Sequence, residues 1–415
     1  MTPLGISTSQ PQPTGFEALA QQTALYPQEQ VQVVKTGQNS LLIGLPKEIS
    51  LQDNRIALTP EAVAVLVRNG HQIVVETGAG TGSRFSDNQY SEAGAQVVYA
   101  PEEAFAADVV LKIEPLIEKE FDLVKRGSTL ISALTVPKLN ADYFAMLNQK
   151  HITGLAFEYI EDKAGGLPII RAMSEIAGST VMLIAAEYLS SVNDGRGIIL
   201  GGITGVPPTR VVILGGGTVA EYAARTALGL GAEIKIFDKD IYKLQRLRYA
   251  LGQQIFTSII DSNTLTEAVE RADVVIGAMR SEEGRSPLVV TEEMVSRMKP
   301  DTVLIDVSID QGGNFETSEM TTHRNPVFQK YGVIHYCVPN IASRVAHTAS
   351  TALSNVFTPF LLQTGTLGGI EEMMYANQWF MQGVYCHKGT LTNAVLARQF
   401  NMRYKDLSLL LAARL

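Results

Sequence analysis

Short apolar runs alternate with amphipathic segments from residue 41 onward. The segment TPEAVAVLVRNG has its apolar positions at helical spacing, and the runs beside it are short and rich in aliphatic residues, which is typical of buried strands. Strands that alternate with helices favour parallel pairing in an open sheet. The strand-like runs of this first series are LLIGLP, QIVVE, AQVV, DVVLKI, TLISAL and ITGLAFEYI. We therefore predict a doubly wound α/β sheet here.

A second series of strands follows the amphipathic stretch MSEIAGSTVMLIAAEYL and a Gly- and Pro-rich connection at 197–208. From about residue 347 the pattern becomes helical, and we expect this part to pack back on the first domain without adding strands. The strands of the second series are RVVILGGG, EIKIFD, QIFTSII, DVVIGAM, TVLIDVS and GVIHYCV. The predicted fold class is α/β, with two doubly wound parallel-sheet domains. The first comprises 41–168 plus 347–415, and the second, 169–346, is inserted in it.

Residues 1–40 are rich in Gln, Thr and Pro, a composition that cannot bury enough apolar surface to form a core. We expect an N-terminal extension that is partly disordered, with one short helix near 15–24. The whole chain is 46% hydrophobic and 18% charged, as in an ordinary globular protein.

Charge and cysteine content exclude several classes of function. The net charge is −8 and Lys and Arg form no cluster, so we expect no nucleic-acid partner. The two cysteines predict no disulfide framework, and the six scattered histidines predict no metal site. The first lysine is Lys35, which argues against a signal peptide, and we find no run of about 18 apolar residues to span a membrane. A cytoplasmic protein is predicted.

The strongest local motif is a glycine-rich turn between a strand and a helix. Gly215, Gly217 and Ala220 form the G-x-G-x-x-G/A pattern directly after an apolar strand, and Asp238 ends the next strand about 20 residues on. In a Rossmann dinucleotide-binding domain the helix N-terminus meets the pyrophosphate, and an aspartate at this point binds the ribose hydroxyls and repels a 2′-phosphate. The prediction is NAD as cofactor, although two following lysines leave NADP open. A ligand-free turn is the structural alternative.

From about residue 41 the chain resembles the alanine dehydrogenase family, which shares its fold with the NAD-binding subunit of proton-translocating transhydrogenase. The resemblance implies NAD-dependent, reversible oxidative deamination of L-alanine, or a similar small amino acid, to the 2-keto acid and ammonia. It also implies a homo-oligomer, either a hexamer or a dimer. Besides the glycine-rich turn, the segments that carry the resemblance include IGLPKEISLQDNRIALTPEAVAVLVRNG, MSEIAG, ILGGITGVPP, VLIDVSIDQGGNFE, YCVPN and YCHKGTLTN.

The resemblance also implies roles for individual residues. Arg55 would hold the substrate carboxylate in a bidentate fork, the alternative being an ordinary surface ion pair. Asp310 follows an apolar strand and would manage protons beside the nicotinamide, the alternative being a loop cap. Ser174 and Asn340 would hydrogen-bond the cofactor, or else cap a helix or turn.

The chain departs from the family at the two positions that the family uses for a catalytic lysine and histidine. An ungapped comparison puts Glu114 at the lysine position and Thr135 at the histidine position. Lys112 lies two residues before Glu114, on the same face of a strand, and would reach the substrate instead. The predicted catalytic set is therefore Asp310, Lys112 and Glu114. The alternatives are a nucleotide-binding subunit or sensor of the transhydrogenase-like branch, and a dehydrogenase of another amino or imino acid.

Overall fold

The computed structural model describes residues 40–50, 52–134, 139–281 and 285–412. The predicted N-terminal extension, apart from residue 40, and its short helix lie outside the described residues, as does Thr135. Two mostly parallel sheets flanked by helices confirm the predicted α/β class.

The first sheet takes strands from both ends of the described chain. These are β1 (Leu42–Leu45), β2 (Gln72–Glu76), β3 (Gln96–Val98), β4 (Val109–Leu111), β5 (Thr129–Ser132), β6 (Thr153–Ala156), β14 (Val384–His387) and β15 (Thr390–Leu391). Their order is β15-β14-β6-β5-β4-β1-β2-β3. The strands from β1 to β6 pair in parallel, whereas β14 is antiparallel to both of its neighbours.

The two C-terminal strands correct the expectation that this part adds none. They are too short to show an alternating pattern, and they are joined by a two-residue turn in which Lys388 and Gly389 both have positive φ, at 46° and 77°. Positive φ at both central residues is the geometry of the tight hairpin turn. The Lys-Gly pair was therefore the local signal for this hairpin.

The second sheet contains the six predicted strands and one that the sequence pattern did not reveal, β12. Its strands are β7 (Arg210–Leu214), β8 (Glu233–Asp238), β9 (Phe256–Ile259), β10 (Val274–Gly277), β11 (Val303–Asp306), β12 (Val327–Lys330) and β13 (Val333–Tyr336). The order is β12-β13-β11-β10-β7-β8-β9, with β12 antiparallel at the edge. All strands of this sheet lie between β6 and β14 in sequence, as an inserted domain requires. The exact domain limits stay a prediction.

Helices cover both sheets. Those that follow strands of the first sheet are α1 (Pro60–Arg68), α2 (Asp87–Glu92), α3 (Pro101–Phe105), α4 (Glu118–Phe121) and α5 (Ala141–Gln149). Those of the second part are α6 (Pro168–Leu189), α7 (Thr218–Gly229), α8 (Ile241–Leu251), α9 (Ser262–Arg271) and α10 (Glu292–Ser296). The C-terminal helices are α11 (Ala346–Leu367), α12 (Ile370–Ala376), α13 (Gln378–Met381), α14 (Ala394–Gln399) and α15 (Leu407–Ala412).

Helix α6 is long and apolar enough to cross a membrane by length and composition, which corrects the expectation that the sequence holds no such stretch. Core helices of soluble proteins can have the same length and composition, so these two properties are weak evidence for a membrane span. In this fold α6 packs closely on α7: a Cβ atom on Gly178 would lie 2.4 Å from the carbonyl oxygen of Val219. Its apolar residues, including Val181 and Ile184, belong to the core that covers the second sheet.

Helix α11 returns to the first sheet and fixes the loop that follows β1. The Ser350 and Ser354 hydroxyls accept hydrogen bonds from the backbone N–H groups of Ile56 and Thr59, at 2.9 and 2.7 Å. These bonds hold the segment that carries Arg55 against the return helix. The carboxyl end of β1 is thereby placed near the chain that leaves the second sheet.

Candidate active site

The glycine-rich turn after β7 has the geometry of a phosphate-binding turn. Gly215 has φ +113°, and a Cβ there would lie 2.6 Å from the carbonyl oxygen of Ala278, so only glycine fits. Gly217 is the N-cap of α7, where no side chain caps the helix and where an added Cβ would meet nothing within 4 Å. Ala220 is fully buried in the helix–sheet contact. The helix N-terminus is therefore open to an anion.

Asp238 ends β8 beside this turn. Its Oδ2 accepts a hydrogen bond from the Gly216 N–H at 2.5 Å, and its Oδ1 accepts one from the Asp240 N–H at 2.9 Å. The carboxylate thus connects the end of one strand to the glycine turn that follows its neighbour. The open helix N-terminus, the space over Gly217 and this carboxylate together fit a dinucleotide.

Arg55 lies in the loop after β1 and is paired with Asp53. Its Nε and Nη2 donate to the two Asp53 oxygens at 2.9 and 2.5 Å, and Nη1 contacts the weak acceptor Met173 Sδ at 3.7 Å. Burial alone would raise the pKa of Asp53, but the adjacent Arg55 charge and its hydrogen bonds outweigh burial and lower that pKa. Arg55 is thus held by its neighbour, and Nη1 is the nitrogen best placed for a further acceptor.

Glu114 and Lys112 follow β4 but have different surroundings. Glu114 Oε1 lies 3.8 Å from Arg55 Nη2, so the glutamate belongs to the Arg55 group. Lys112 Nζ is completely enclosed and pairs with Glu120 at 2.9 Å and Glu48 at 3.2 Å. The two side chains therefore have different ion-pair partners, and they are linked through Glu48 Oε2, which also accepts a hydrogen bond from the Glu114 N–H at 3.4 Å. The catalytic role predicted for Lys112 stays a prediction.

Asp310 lies in a short 3₁₀ turn, Ile309–Gln311, directly after β11. The loop around it is organised by Asp306, whose carboxylate accepts hydrogen bonds from the Asn314 N–H at 2.9 Å and the Ser318 hydroxyl at 2.7 Å. Burial raises the pKa of Asp306 to about 6. Asp310 itself is half-buried at the carboxyl end of the second sheet, where the sequence placed it.

Two of the three predicted cofactor contacts outside the glycine turn, Ser174 and Asn340, lie on segments that contact Arg55 or its partner Asp53. Asn340 Nδ2 donates to Asp53 Oδ2 at 3.4 Å. Ser174 lies in α6 next to Met173, the residue that Arg55 Nη1 contacts. Arg55, Glu114 and Asn340 are therefore brought to one place.

Sequence reasoning missed Glu158, which belongs to the same place. Glu158 directly follows β6 in a 3₁₀ turn, and its Oε1 accepts a hydrogen bond from the Leu134 N–H at 2.7 Å. Glu114 and Arg280 both act on it electrostatically. A carboxylate that follows an apolar strand was the available signal, the same one that singled out Asp310.

The residues that follow β10 lie between the glycine turn and Glu158. Ala278 contacts Gly215 of the glycine turn, and Arg280, two residues on, faces Glu158 and hydrogen-bonds the Tyr159 hydroxyl. A dinucleotide turn and a buried arginine–carboxylate group that meet at the carboxyl ends of two sheets are typical of dinucleotide-dependent oxidoreductases.

The chain belongs to the alanine dehydrogenase/PNT family. Residues 44–177 match the family's N-terminal domain, and residues 181–394 match its C-terminal domain. Together these matches span most of the chain, and they confirm the family resemblance.

Individual relatives agree with this assignment. The alanine dehydrogenase of Methanococcus maripaludis is 38% identical over 369 residues, covering 88% of this chain and 98% of the relative. Alanine dehydrogenase 2 of Staphylococcus aureus is 38% identical over 365 residues with the same coverage. A solved L-alanine dehydrogenase superposes with a TM-score of 0.81 at 34% identity, covering 87% of this chain and 99% of its own. The transhydrogenase from Sinorhizobium meliloti gives 0.72 at 25% identity, covering 85% and 99%.

Proposed function

We propose that this protein is an NAD-dependent alanine dehydrogenase, which converts L-alanine or a similar small amino acid reversibly to the 2-keto acid and ammonia. The observation that carries the proposal is that the end of β10 lies against the glycine turn at Ala278, while Arg280 faces Glu158, which also interacts with Glu114 of the Arg55 group. Relatives named alanine dehydrogenase, which match almost their whole length, support the same reaction.

The chain's own residues would hold the dinucleotide as follows. Gly215, Gly217 and Ala220 form the turn under the pyrophosphate, and Asp238 receives the adenosine ribose hydroxyls. The negative charge of Asp238 favours NAD over NADP. Ser174 and Asn340 are proposed to hydrogen-bond the nicotinamide side. When bound, the dinucleotide supplies the hydride acceptor at its nicotinamide ring.

The substrate would be held and its protons managed by side chains from both sheets. Arg55 Nη1 is proposed to bind the substrate carboxylate, while Asp53 orients the guanidinium. Asp310 is proposed to move protons from the side of the second sheet. Glu114, beside Arg55, stays in the proposed catalytic set, and Lys112 would act through Glu48, because its own Nζ is enclosed.

Assembly and location complete the proposal. We propose a homo-oligomer, either a hexamer or a dimer, in the cytoplasm, with no nucleic-acid or membrane partner. The acidic net charge and the two buried cysteines are consistent with this proposal.

Ammonium-dependent NADH oxidation with a panel of 2-keto acids tests the reaction, on the wild type, on Asp310→Asn and on the exposed control Asp194→Asn. We expect turnover with pyruvate in the wild type and the control, and a loss of about 10²-fold or more in Asp310→Asn with NADH binding retained. Better turnover with another keto acid would reassign the substrate. NADH binding without turnover on any keto acid would favour the nucleotide-binding subunit, to which the structural similarity to a transhydrogenase also points.

A further inference from the structure

We infer that Glu158 is a proton-transfer residue of this site: it takes the proton from the water that hydrolyses the substrate imine and returns it to the departing nitrogen. This inference rests on the proposed dehydrogenase reaction and adds a catalytic residue to it.

The position of Glu158 is fixed by the sheet. β4, β5 and β6 are neighbours in the first sheet, and Glu114, Leu134 and Glu158 follow them in turn. The carboxyl ends of parallel strands meet at one edge, so these residues are brought together there. The 2.7 Å bond from the Leu134 N–H to Oε1 orients the carboxyl group.

The second oxygen of Glu158 has a different environment. Oε2 is shielded from solvent, and no group in the described part of the chain hydrogen-bonds it. A buried polar atom without a protein partner is costly, so such an atom is expected to bind a water or ligand or to take part in the chemistry. A carboxyl group with one anchored oxygen and one uncommitted oxygen is oriented and still able to exchange a proton.

Charged and titratable groups face Glu158 from several elements. These are Glu114 after β4, Arg280 after β10, the adjacent Tyr159, and Tyr385 in β14. Burial raises the pKa of Glu158 to about 7, against the lowering effect of its backbone hydrogen bonds and of Arg280. A pKa near neutrality suits a group that both accepts and donates a proton.

Other buried carboxylates of the site are committed to fixed partners. Asp53 is paired through both oxygens with Arg55. Glu48, whose pKa burial also raises to about 7, holds Lys112 with one oxygen and the Ile113 N–H with the other. These groups position their neighbours, whereas Glu158 keeps an oxygen for chemistry.

The proposed step balances as follows. After hydride removal the substrate is an iminium ion, and water adds to its carbon while one water proton passes to the Glu158 carboxylate. This gives a neutral carbinolamine and a protonated Glu158. Glu158 then protonates the carbinolamine nitrogen and is ionised again. The C–N bond breaks, and the hydroxyl proton leaves with the nitrogen, so that the products are the 2-keto acid and ammonium.

The test compares the wild type, Glu158→Gln and the control Glu161→Gln, a half-exposed glutamate three residues on. The kcat for alanine deamination is measured between pH 5.5 and 9 at saturating substrates, and NADH affinity is measured by fluorescence. We expect the wild type and the control to gain rate with rising pH through an ionisation near neutrality, because the base must be ionised. Glu158→Gln should lose about 10²- to 10⁴-fold in kcat and should lose this rising limb of the pH profile, with an unchanged NADH Kd.

The possible outcomes distinguish a failure of the Glu158 role from a failure of the proposed dehydrogenase reaction. A Glu158→Gln variant that keeps the wild-type rate and pH limb overturns the inference but leaves the dehydrogenase intact. A wild type that binds NADH but never turns over overturns the dehydrogenase itself, and the inference with it. If Glu158→Gln does not fold, Glu158→Asp supplies the test: a reduced kcat with the neutral pH limb retained supports the inference, and a lost limb overturns it.

Discussion

Removing the buried cation Lys112 should destabilise the protein strongly. Its Nζ pairs with Glu120 and Glu48, and the exposed fractions of the three side chains are 0%, 3% and 5%. Lys112→Met keeps most of the apolar stem but leaves two buried carboxylates without their cation. Breaking a buried pair in this way costs about 3–5 kcal/mol, which corresponds to a fall in Tm of roughly 10 °C.

The penalty should depend on pH with a definite sign. Burial, only partly offset by Lys112, raises the pKa of Glu48 from 4.5 to about 7 in the folded protein. Between these values the folded state binds more protons than the unfolded state, so stability falls as pH rises. Loss of the Lys112 charge raises the pKa of Glu48 further and extends this window upward. The variant should therefore lie closer to the wild type at pH 5.5 than at pH 8.

Thermal unfolding of the protein without ligands, at both pH values, measures this effect. The matched control is Lys125→Met, because Lys125 pairs with Asp108 at 2.7 Å but the two side chains are 51% and 59% exposed. An exposed pair contributes at most about 1 kcal/mol. Equal Tm values for the two variants at pH 8, or a penalty that does not shrink at pH 5.5, would refute this reasoning.

Two further predictions concern the ligands. Asp238→Asn removes the charge and leaves one acceptor oxygen for the two N–H groups of Gly216 and Asp240, so NADH affinity should fall about 10- to 100-fold and NADPH affinity less. Fluorescence titrations with both nucleotides measure the two affinities, and an unchanged ratio of NADH to NADPH affinity would contradict the prediction. Arg55→Lys cannot reproduce the two-point pairing with Asp53, so the KM for the keto acid should rise about 10- to 100-fold while the NADH Kd is unaffected. Steady-state kinetics compare this variant with the exposed control Arg171→Lys, and equal KM values would argue against substrate-carboxylate binding by Arg55.

The sequence predicted the parts of the fold whose signal is local. Runs of four to nine mostly apolar residues located the strands of both sheets up to β13, except β12. The glycine turn was found because Gly215 and Gly217 stand between a strand and a helix. The hairpin at Lys388 was missed since its strands have only four and two residues. Such short strands are determined by pairing with β6 rather than by their own pattern.

The site was less predictable because its contacts join distant parts of the chain. Strand alternation grouped Lys112 with Glu114, but Lys112 Nζ pairs with Glu48 and Glu120, whereas the Glu114 carboxylate lies beside Arg55. Glu158 escaped notice because its partners, among them Arg280, come from other strands and from the second sheet. Its local signal, a carboxylate that follows an apolar strand, is shared with ordinary turn residues and does not show these distant partners.

The central claim is the reaction itself, and product analysis tests it most directly. The wild-type protein is incubated with NADH, pyruvate and ¹⁵N-labelled ammonium, and the products are identified by mass spectrometry. We expect one ¹⁵N-labelled L-alanine for each NADH oxidised, and no NADH oxidation when ammonium is left out. NADH bound without labelled alanine, or NADH oxidised equally well without ammonium, would contradict an alanine dehydrogenase.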